Sequence, residues 1–448
     1  MSALALYCQK AGKQVAGYDR MESDITKELE NQGVSIHYKD DISKIPKAMA
    51  DLANKDKTWI VYTPAVPPTH KELTYFKDAG YQIVKRAELL GLLAADKPTI
   101  AISGTHGKTT ITAMTAHIFK SAGLDFVAFL GGVSVNYGTN LIFSGHGNTV
   151  LVEADEYDRS FLQLYPQIAV VTSLDPDHLD VYGAKEEMER SFNQFLSQVA
   201  VNGQVLINSR ALPHMDVPKN CHSASYSISQ KANYSAENIR IENEKYVFDI
   251  HMPHGQIEEV RTGLPGRHNV ENAIAAASVA ILMGVDASSI KTALESFSGV
   301  KRRFEYQHRS KSIIYIDDYA HHPAELDACI SSARELFPGK KITGIFQPHL
   351  YSRTRDLCDG FASSLSMLDK LILLDIYPAR EKPIPGVDSS IILDKVDLED
   401  KQLIAQEKLI EQLIIEDGEV LLTMGAGDID AMVEPIKVML DNRVSGAG

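Results

Sequence analysis

Lys108 stands at the foot of a glycine-flanked turn, Gly104-Thr105-His106-Gly107-Lys108-Thr109-Thr110, between the apolar run Ile100-Ala101-Ile102 and a helical stretch. A turn of this kind aims backbone N–H groups at phosphate oxygens, and the positive end of the following helix adds to the attraction. In that setting Lys108 reaches the β- and γ-phosphates of a nucleoside triphosphate, and the Thr109 hydroxyl ligates Mg²⁺. The ordinary P-loop has a glycine five residues before Gly107, where this chain has Ile102. The loop is therefore one step tighter. A plain glycine turn between a core strand and a helix would not need Lys-Thr-Thr in register at the helix start.

Other polar clusters follow apolar runs, which matters because open α/β sheets bind ligands beyond the carboxyl ends of their strands. Glu153, Asp155, Glu156 and Asp158 follow Thr149-Val150-Leu151-Val152. A carboxylate there can hold the Mg²⁺ that bridges triphosphate oxygens, the alternative being a solvated acidic turn. His178, flanked by Asp177 and Asp180, follows Ala169–Thr172 and is a metal or phosphate ligand or a structural histidine. Asp317-Asp318-Tyr319-Ala320-His321-His322-Pro323 ends a later strand, and its adjacent histidines point apart, which disfavours chelation. Gln347-Pro348-His349 with Arg353 and Arg355 ends the next, where arginines suit a carboxylate or phosphate gripped bidentately. Lys301-Arg302-Arg303 is a nucleotide contact or a solvated basic hinge, and Gly425-Ala426-Gly427-Asp428 is a further glycine turn. Asp19 ends the run Val15–Tyr18, a usual place to hold a ribose hydroxyl, although an exposed strand-end acid is as common.

These residues need a scaffold of alternating strands and helices, and the pattern supplies one. Short strand-like and helical runs alternate from residue 1 to about 95; Pro98 opens a second region, β-rich over 204–262; and a boundary near Gly299 precedes strands at Ile313–Ile316, Ile342–Phe346, Leu371–Asp375 and Val420–Thr423. Strands alternating with helices imply parallel sheets covered on both faces. The expected fold is α/β in three domains, 1–95, 96–298 and 299–448: Rossmann-like, P-loop ATPase-like and Rossmann-like.

With 448 residues, 44% hydrophobic and 23% charged, the chain has the composition of an ordinary globular protein of more than one core. A formal charge of −14 disfavours general nucleic-acid or membrane-surface binding. The four cysteines, Cys8, Cys221, Cys329 and Cys358, lack metal or disulfide spacing, and no apolar stretch approaches the ~18 residues of a membrane span. A cytoplasmic location is expected.

Taken together these stretches resemble the ATP-dependent Mur ligases, and most closely the branch that joins L-alanine to UDP-N-acetylmuramate. The resemblance rests on Gly-Thr-His-Gly-Lys-Thr-Thr (104–110), Glu-Ala-Asp-Glu (153–156), Asp-His-Leu-Asp (177–180), Gly-Arg-His-Asn-Val-Glu-Asn-Ala (266–273), Arg-Arg-Phe-Glu (302–305), the 317–323 stretch, Gln-Pro-His-Leu-Tyr-Ser-Arg-Thr (347–354) and Gly-Ala-Gly-Asp (425–428). They stand in family order and span nearly the whole chain. The resemblance implies ATP and Mg²⁺ as cofactors, and UDP-N-acetylmuramate and L-alanine as small-molecule substrates of a monomer or dimer. It implies that Gly104 to Thr110 hold ATP, with Asn269 and Asn272 near the adenine and Arg302, Arg303 and Asp318 contacting nucleotide from the third domain. Thr109, Glu153 and His178 would hold Mg²⁺; Ser2, Asp19 and His178 would serve the UDP-sugar; His349 and Arg353 would face the amino acid. Lys108, Glu153, His178, His349 and Arg353 form the implied catalytic set.

Two departures bear on this. Several branches carry a carbamylated lysine on the helix after His178, whereas residues 186–200 contain no lysine, in agreement with the alanine-adding branch. Family members also begin with a strand and a loop resembling Gly-x-Gly-Gly-x-Gly-Met-Ser, and Met1-Ser2-Ala3-Leu4-Ala5 matches only its tail. The first strand and the pyrophosphate loop are therefore expected to be missing, through a start upstream of Met1 or with weakened UDP binding. The rival readings are a ligase that attaches a tripeptide to the same UDP-sugar, a non-catalytic nucleotide-binding or regulatory protein, and a generic P-loop NTPase or kinase.

Overall fold

The computed structural model describes residues 1–175, 182, 184–310, 312–379 and 381–445. The chain divides into two compact units, Met1–Ser235 with Ala275–Ile290, and Ala236–Ile274 with Lys291–Gly448. This division by compactness crosses the helix Arg267–Leu282 and so differs from the expected boundaries at 95/96 and 298/299.

In the first unit, helix Ser2–Lys10 precedes two separate parallel pairs. β1 (Ala16–Tyr18) pairs with β2 (Ser35–His37), and β3 (Trp59–Tyr62) with β4 (Gln82–Lys85). The larger sheet is built from β5 (Thr99–Ser103), β6 (Phe126–Ser134), β7 (Thr139–Ser144), β8 (Thr149–Glu153), β9 (Ile168–Val171), β10 (Gln204–Asn208) and β11 (His222–Ser227), in the order β7-β6-β8-β5-β9-β10-β11. Only β6 and β7 pair antiparallel within it, as a hairpin. β5 lies between β8 and β9 and is buried at every residue, which is why Thr99-Ile100-Ala101-Ile102-Ser103 is apolar without alternation. The chain then turns through the glycine loop into helix Lys108–Ser121, buried from Thr110 to Phe119 and thus held rigidly beneath the loop. Helix Lys185–Ser197 packs Met188, Phe192, Phe195 and Leu196 into the core. It begins one residue before 186, so Lys185 is its first residue and pairs with Glu189 at 3.6 Å. β12 (Tyr234–Glu242) starts parallel to β11 at Tyr226 and Tyr234.

In the second unit, β13 (Lys245–Met252) and β14 (Gly255–Thr262) form an antiparallel hairpin. A six-stranded sheet follows, from β15 (Glu305–Arg309), β16 (Ile314–Asp318), β17 (Ile342–Phe346), β18 (Lys370–Leu373), β19 (Lys401–Leu403) and β20 (Val420–Met424), ordered β15-β16-β20-β17-β18-β19. All its pairs are parallel except β15 with β16. Because β20 lies between β16 and β17, the segments after Asp318, Phe346 and Met424 leave the same edge side by side.

Candidate functional site

The loop after β5 is shaped by its fit to the end of β9. Gly104 has φ +127°, and a Cβ there would lie 2.8 Å from the backbone nitrogens of Thr172 and Ser173, so no side chain fits. Thr105 N–H donates to Ser173 O at 3.1 Å, His106 N–H to Ser173 Oγ at 2.8 Å, and Thr172 Oγ1 to His106 O at 2.5 Å. Gly107, φ +82°, caps helix Lys108–Ser121 with no side chain over its free N–H groups.

Lys108 is drawn inward. Its Nζ donates to Gly104 O at 2.6 Å and lies 2.7–2.8 Å from the Glu156 carboxylate, whose residue is 0% exposed. Burial disfavours the ammonium, but Glu156, Glu153 and Asp155 together outweigh it and hold the lysine pKa above its ordinary value. Tyr182 Oη donates to Glu156 O at 2.6 Å and fixes the acid's backbone. Thr109 Oγ1 donates to Glu153 Oε1 at 3.0 Å, which places hydroxyl and carboxylate oxygens side by side. Hard oxygen donors of these two types suit Mg²⁺. His178 lies outside the described residues. Asp155 and Asp158 turn to Arg86 and Lys85, at 3.4 and 3.0 Å. The acidic run is thus divided into one lysine partner, one threonine partner and two surface ion pairs. Glu156 is the residue that the sequence did not single out, because a run of acids does not reveal which member the chain buries.

Ser2 Oγ accepts from Asn140 Nδ2 at 2.8 Å, and Asp19 is exposed, with Oδ1 accepting from Met21 N–H at 3.2 Å. Asp19 directly follows the carboxyl end of β1 (Ala16–Tyr18).

In the second unit, Asn269 Nδ2 donates to Pro265 O at 2.6 Å, and Asn272 Nδ2 donates to Asn269 Oδ1 at 3.0 Å, so the two amides share one face of the helix start. His268 beside them is pulled down to about 4 by burial and by Arg303, and is neutral. Of the basic run 301–303, Lys301 is exposed, whereas Arg302 and Arg303 are held by partners. Arg302 Nε donates to buried Asp317 at 3.1 Å and its Nη2 to Gly425 O at 2.6 Å; Arg303 pairs with Glu325 at 3.7 Å; both guanidinium groups lie over the Tyr319 ring. Arg302 has φ +60°, backbone strain of the kind that collects at functional sites. Asp318 accepts from the N–H groups of Phe304 and Ala320, each at 2.7 Å, and burial raises its carboxyl to about 6 against the pull of Arg303.

Gln347 binds the neighbouring loops together: Nε2 donates to Asp428 at 2.7 Å and Gln406 at 3.0 Å, while Oε1 accepts from Ile429 N–H at 3.0 Å. His349 stacks on Tyr377 with ring centroids 5.6 Å apart and meets His321 at 6.1 Å. Ser352 N–H donates to Glu381 at 2.9 Å, which anchors the helix Tyr351–Asp356 that carries Arg353. Burial, helped by His321 and Arg353, lowers His349 from 6.5 to about 4. A histidine lowered in the folded state contributes stability above its unfolded pKa and loses it as pH falls through the folded value. The His349 ring resonances are therefore expected to titrate by NMR with a midpoint near 4, and a midpoint near 6.5 would contradict this environment.

Three family models match the chain: the Mur ligase family catalytic domain over residues 1–98, the Mur ligase middle domain over 102–280, and the Mur ligase glutamate ligase domain over 302–427. The UDP-N-acetylmuramate–L-alanine ligase of Christiangramia forsetii is 47% identical over 98% of this chain and 95% of its own length. That of Parabacteroides distasonis is 46% identical over 99% and 96%. Among solved structures, the UDP-N-acetylmuramate-alanine ligase MurC of Thermotoga maritima superposes with a TM-score of 0.83 at 24% identity, covering 100% of this chain and 97% of that one. A murein peptide ligase of Psychrobacter arcticus gives 0.70 at 21%, covering 98% and 96%. Both structures bear on the fold alone.

Proposed function

The chain belongs to the Mur ligase family, and from that premise we infer that it joins L-alanine to UDP-N-acetylmuramate at the expense of ATP, a step of peptidoglycan precursor synthesis. The observation that carries this reading is 43–47% identity to curated alanine-adding ligases over 98–100% of the chain. Three functional parts are proposed, 1–95 for the UDP-sugar, 96–298 for ATP and 299–448 for the amino acid, in keeping with the spans of the three family models.

The lactyl carboxylate attacks the γ-phosphorus of ATP, ADP leaves, and an acyl-phosphate forms. The alanine amine attacks the acyl carbon, the carbon–oxygen bond to phosphate breaks, and inorganic phosphate leaves with one former carboxylate oxygen. Such chemistry asks the protein for position and charge more than for covalent help. Lys108, already at the loop, supplies the charge for the β/γ-phosphates, and the uncapped N–H groups at the start of helix Lys108–Ser121 face them. Thr109 and Glu153, with His178 proposed as a third ligand, would hold Mg²⁺, which when bound neutralises phosphate charge. Asn269 and Asn272 are proposed at the adenine, Arg302, Arg303 and Asp318 at the nucleotide, His349 and Arg353 at the amino acid, and Ser2, Asp19 and His178 at the UDP-sugar. A cytoplasmic monomer or dimer is the proposed working form; among the described residues no helix is long and apolar enough to cross a membrane.

The oxygen path tests the chemistry. With ¹⁸O in the lactyl carboxylate, mass spectrometry should find one label in each phosphate released. Unlabelled phosphate would exclude the acyl-phosphate route.

A further inference from the structure

We propose that Gly131 is a positioning residue for the metal-binding carboxylate of Glu153, an inference that rests on the nucleotide and Mg²⁺ reading above. β6 and β8 run parallel and in register from Phe126 with Thr149 to Phe129 with Val152. One step further the strands part. β6 also shifts its register with β7 between Phe129 and Ser134, so Gly131 lies in the irregular stretch of the strand. Gly131 N–H donates to Glu153 Oε2 at 2.9 Å, while Thr109 Oγ1 donates to Oε1 at 3.0 Å. The carboxylate is thus held at both oxygens, by the strand on one side and the phosphate-loop helix on the other.

The glycine also clears the space that the carboxylate occupies. A Cβ at Gly131 would lie 2.6 Å from both Cδ and Oε1 of Glu153 and closer still to Oε2. No ordinary contact is that short, and the side chain that would have to yield is the one proposed to meet the metal. Gly131 is exposed and its φ lies outside the left-handed region, so neither core packing nor backbone conformation demands a glycine here. The demand comes from Glu153. Groups that orient a metal ligand typically matter about 10–100-fold in metal affinity.

The test uses the full chain with Mn²⁺ and ADP as probes, followed by electron paramagnetic resonance and calorimetry. Gly131→Ala should weaken Mn²⁺-dependent ADP binding by about 10–100-fold, leave ADP binding in EDTA unchanged, and have no further effect in a Glu153→Ala background. In a Glu153→Asp background, whose shorter side chain withdraws from the added methyl, the alanine should cost less than in the parent. An equal loss in the Glu153→Ala background, or no loss in the parent, would overturn the proposal. So would a melting temperature lowered equally by Gly131→Ala with Glu153 and with Asp at that position, since the glycine would then serve the strand. If the parent itself bound ADP without regard to Mn²⁺, the metal reading at Thr109 and Glu153 would fail first, and if it bound no ADP at all the nucleotide-site reading would fail, which separates these claims from the role of Gly131.

Discussion

Lys108→Met is expected to lower kcat by about 10³-fold, the scale seen when one charge-stabilising group is removed from an acyl- or phosphoryl-transfer site. The lysine stands at the start of the helix that follows the phosphate loop, with Gly104 O and Glu156 fixing its ammonium. Charge grows on the γ-phosphoryl oxygens and the leaving ADP as the bond breaks, so a cation fixed beforehand gains more in the transition state than in the ground state. The loss should therefore appear in kcat with a smaller change in the KM for ATP. Steady-state kinetics would settle it, and an unchanged kcat would remove Lys108 from the chemistry.

Glu156→Ala strikes the same pair from the other side and is expected to destabilise the first unit by about 3–5 kcal/mol, the usual cost of leaving one member of a buried ion pair without its partner. Glu156 is wholly buried and the Lys108 side chain is only 12% exposed, so water replaces the lost carboxylate poorly. Replacing both with apolar residues, Lys108→Met with Glu156→Leu, should recover most of that stability while leaving activity lost, because a buried pair can often be exchanged for packed hydrophobic side chains. Denaturant unfolding of Lys108→Met, Glu156→Leu and the double variant gives the coupling directly. Additive losses would mean that the pair does not act as a unit.

Much of this arrangement was legible in the sequence. The β5 run, the glycine turn and Lys-Thr-Thr have the order that a buried strand, a tight turn and a helix start require, and the structure places a strand at Thr99–Ser103 and a helix at Lys108–Ser121. The polar ends of β16, β17 and β20 were visible as motifs, but their convergence was not. It arises because β20, the last strand in sequence, inserts between the other two. The division of labour among Glu153, Asp155, Glu156 and Asp158 was likewise hidden, since it depends on which carboxylate faces the helix after the loop. Gly131 carried no signal at all: its proposed role comes from a ladder that ends two residues earlier, at Phe129, and spacing along the chain does not show where strands part.

The most direct test of the central claim is phosphate release from ATP with UDP-N-acetylmuramate present, compared with L-alanine, with a cell-wall tripeptide, and with no acceptor. The alanine-adding reading predicts rapid, stoichiometric release with L-alanine and little in the other two reactions. Release that is fastest with the tripeptide, or indifferent to both UDP-N-acetylmuramate and alanine, would contradict it.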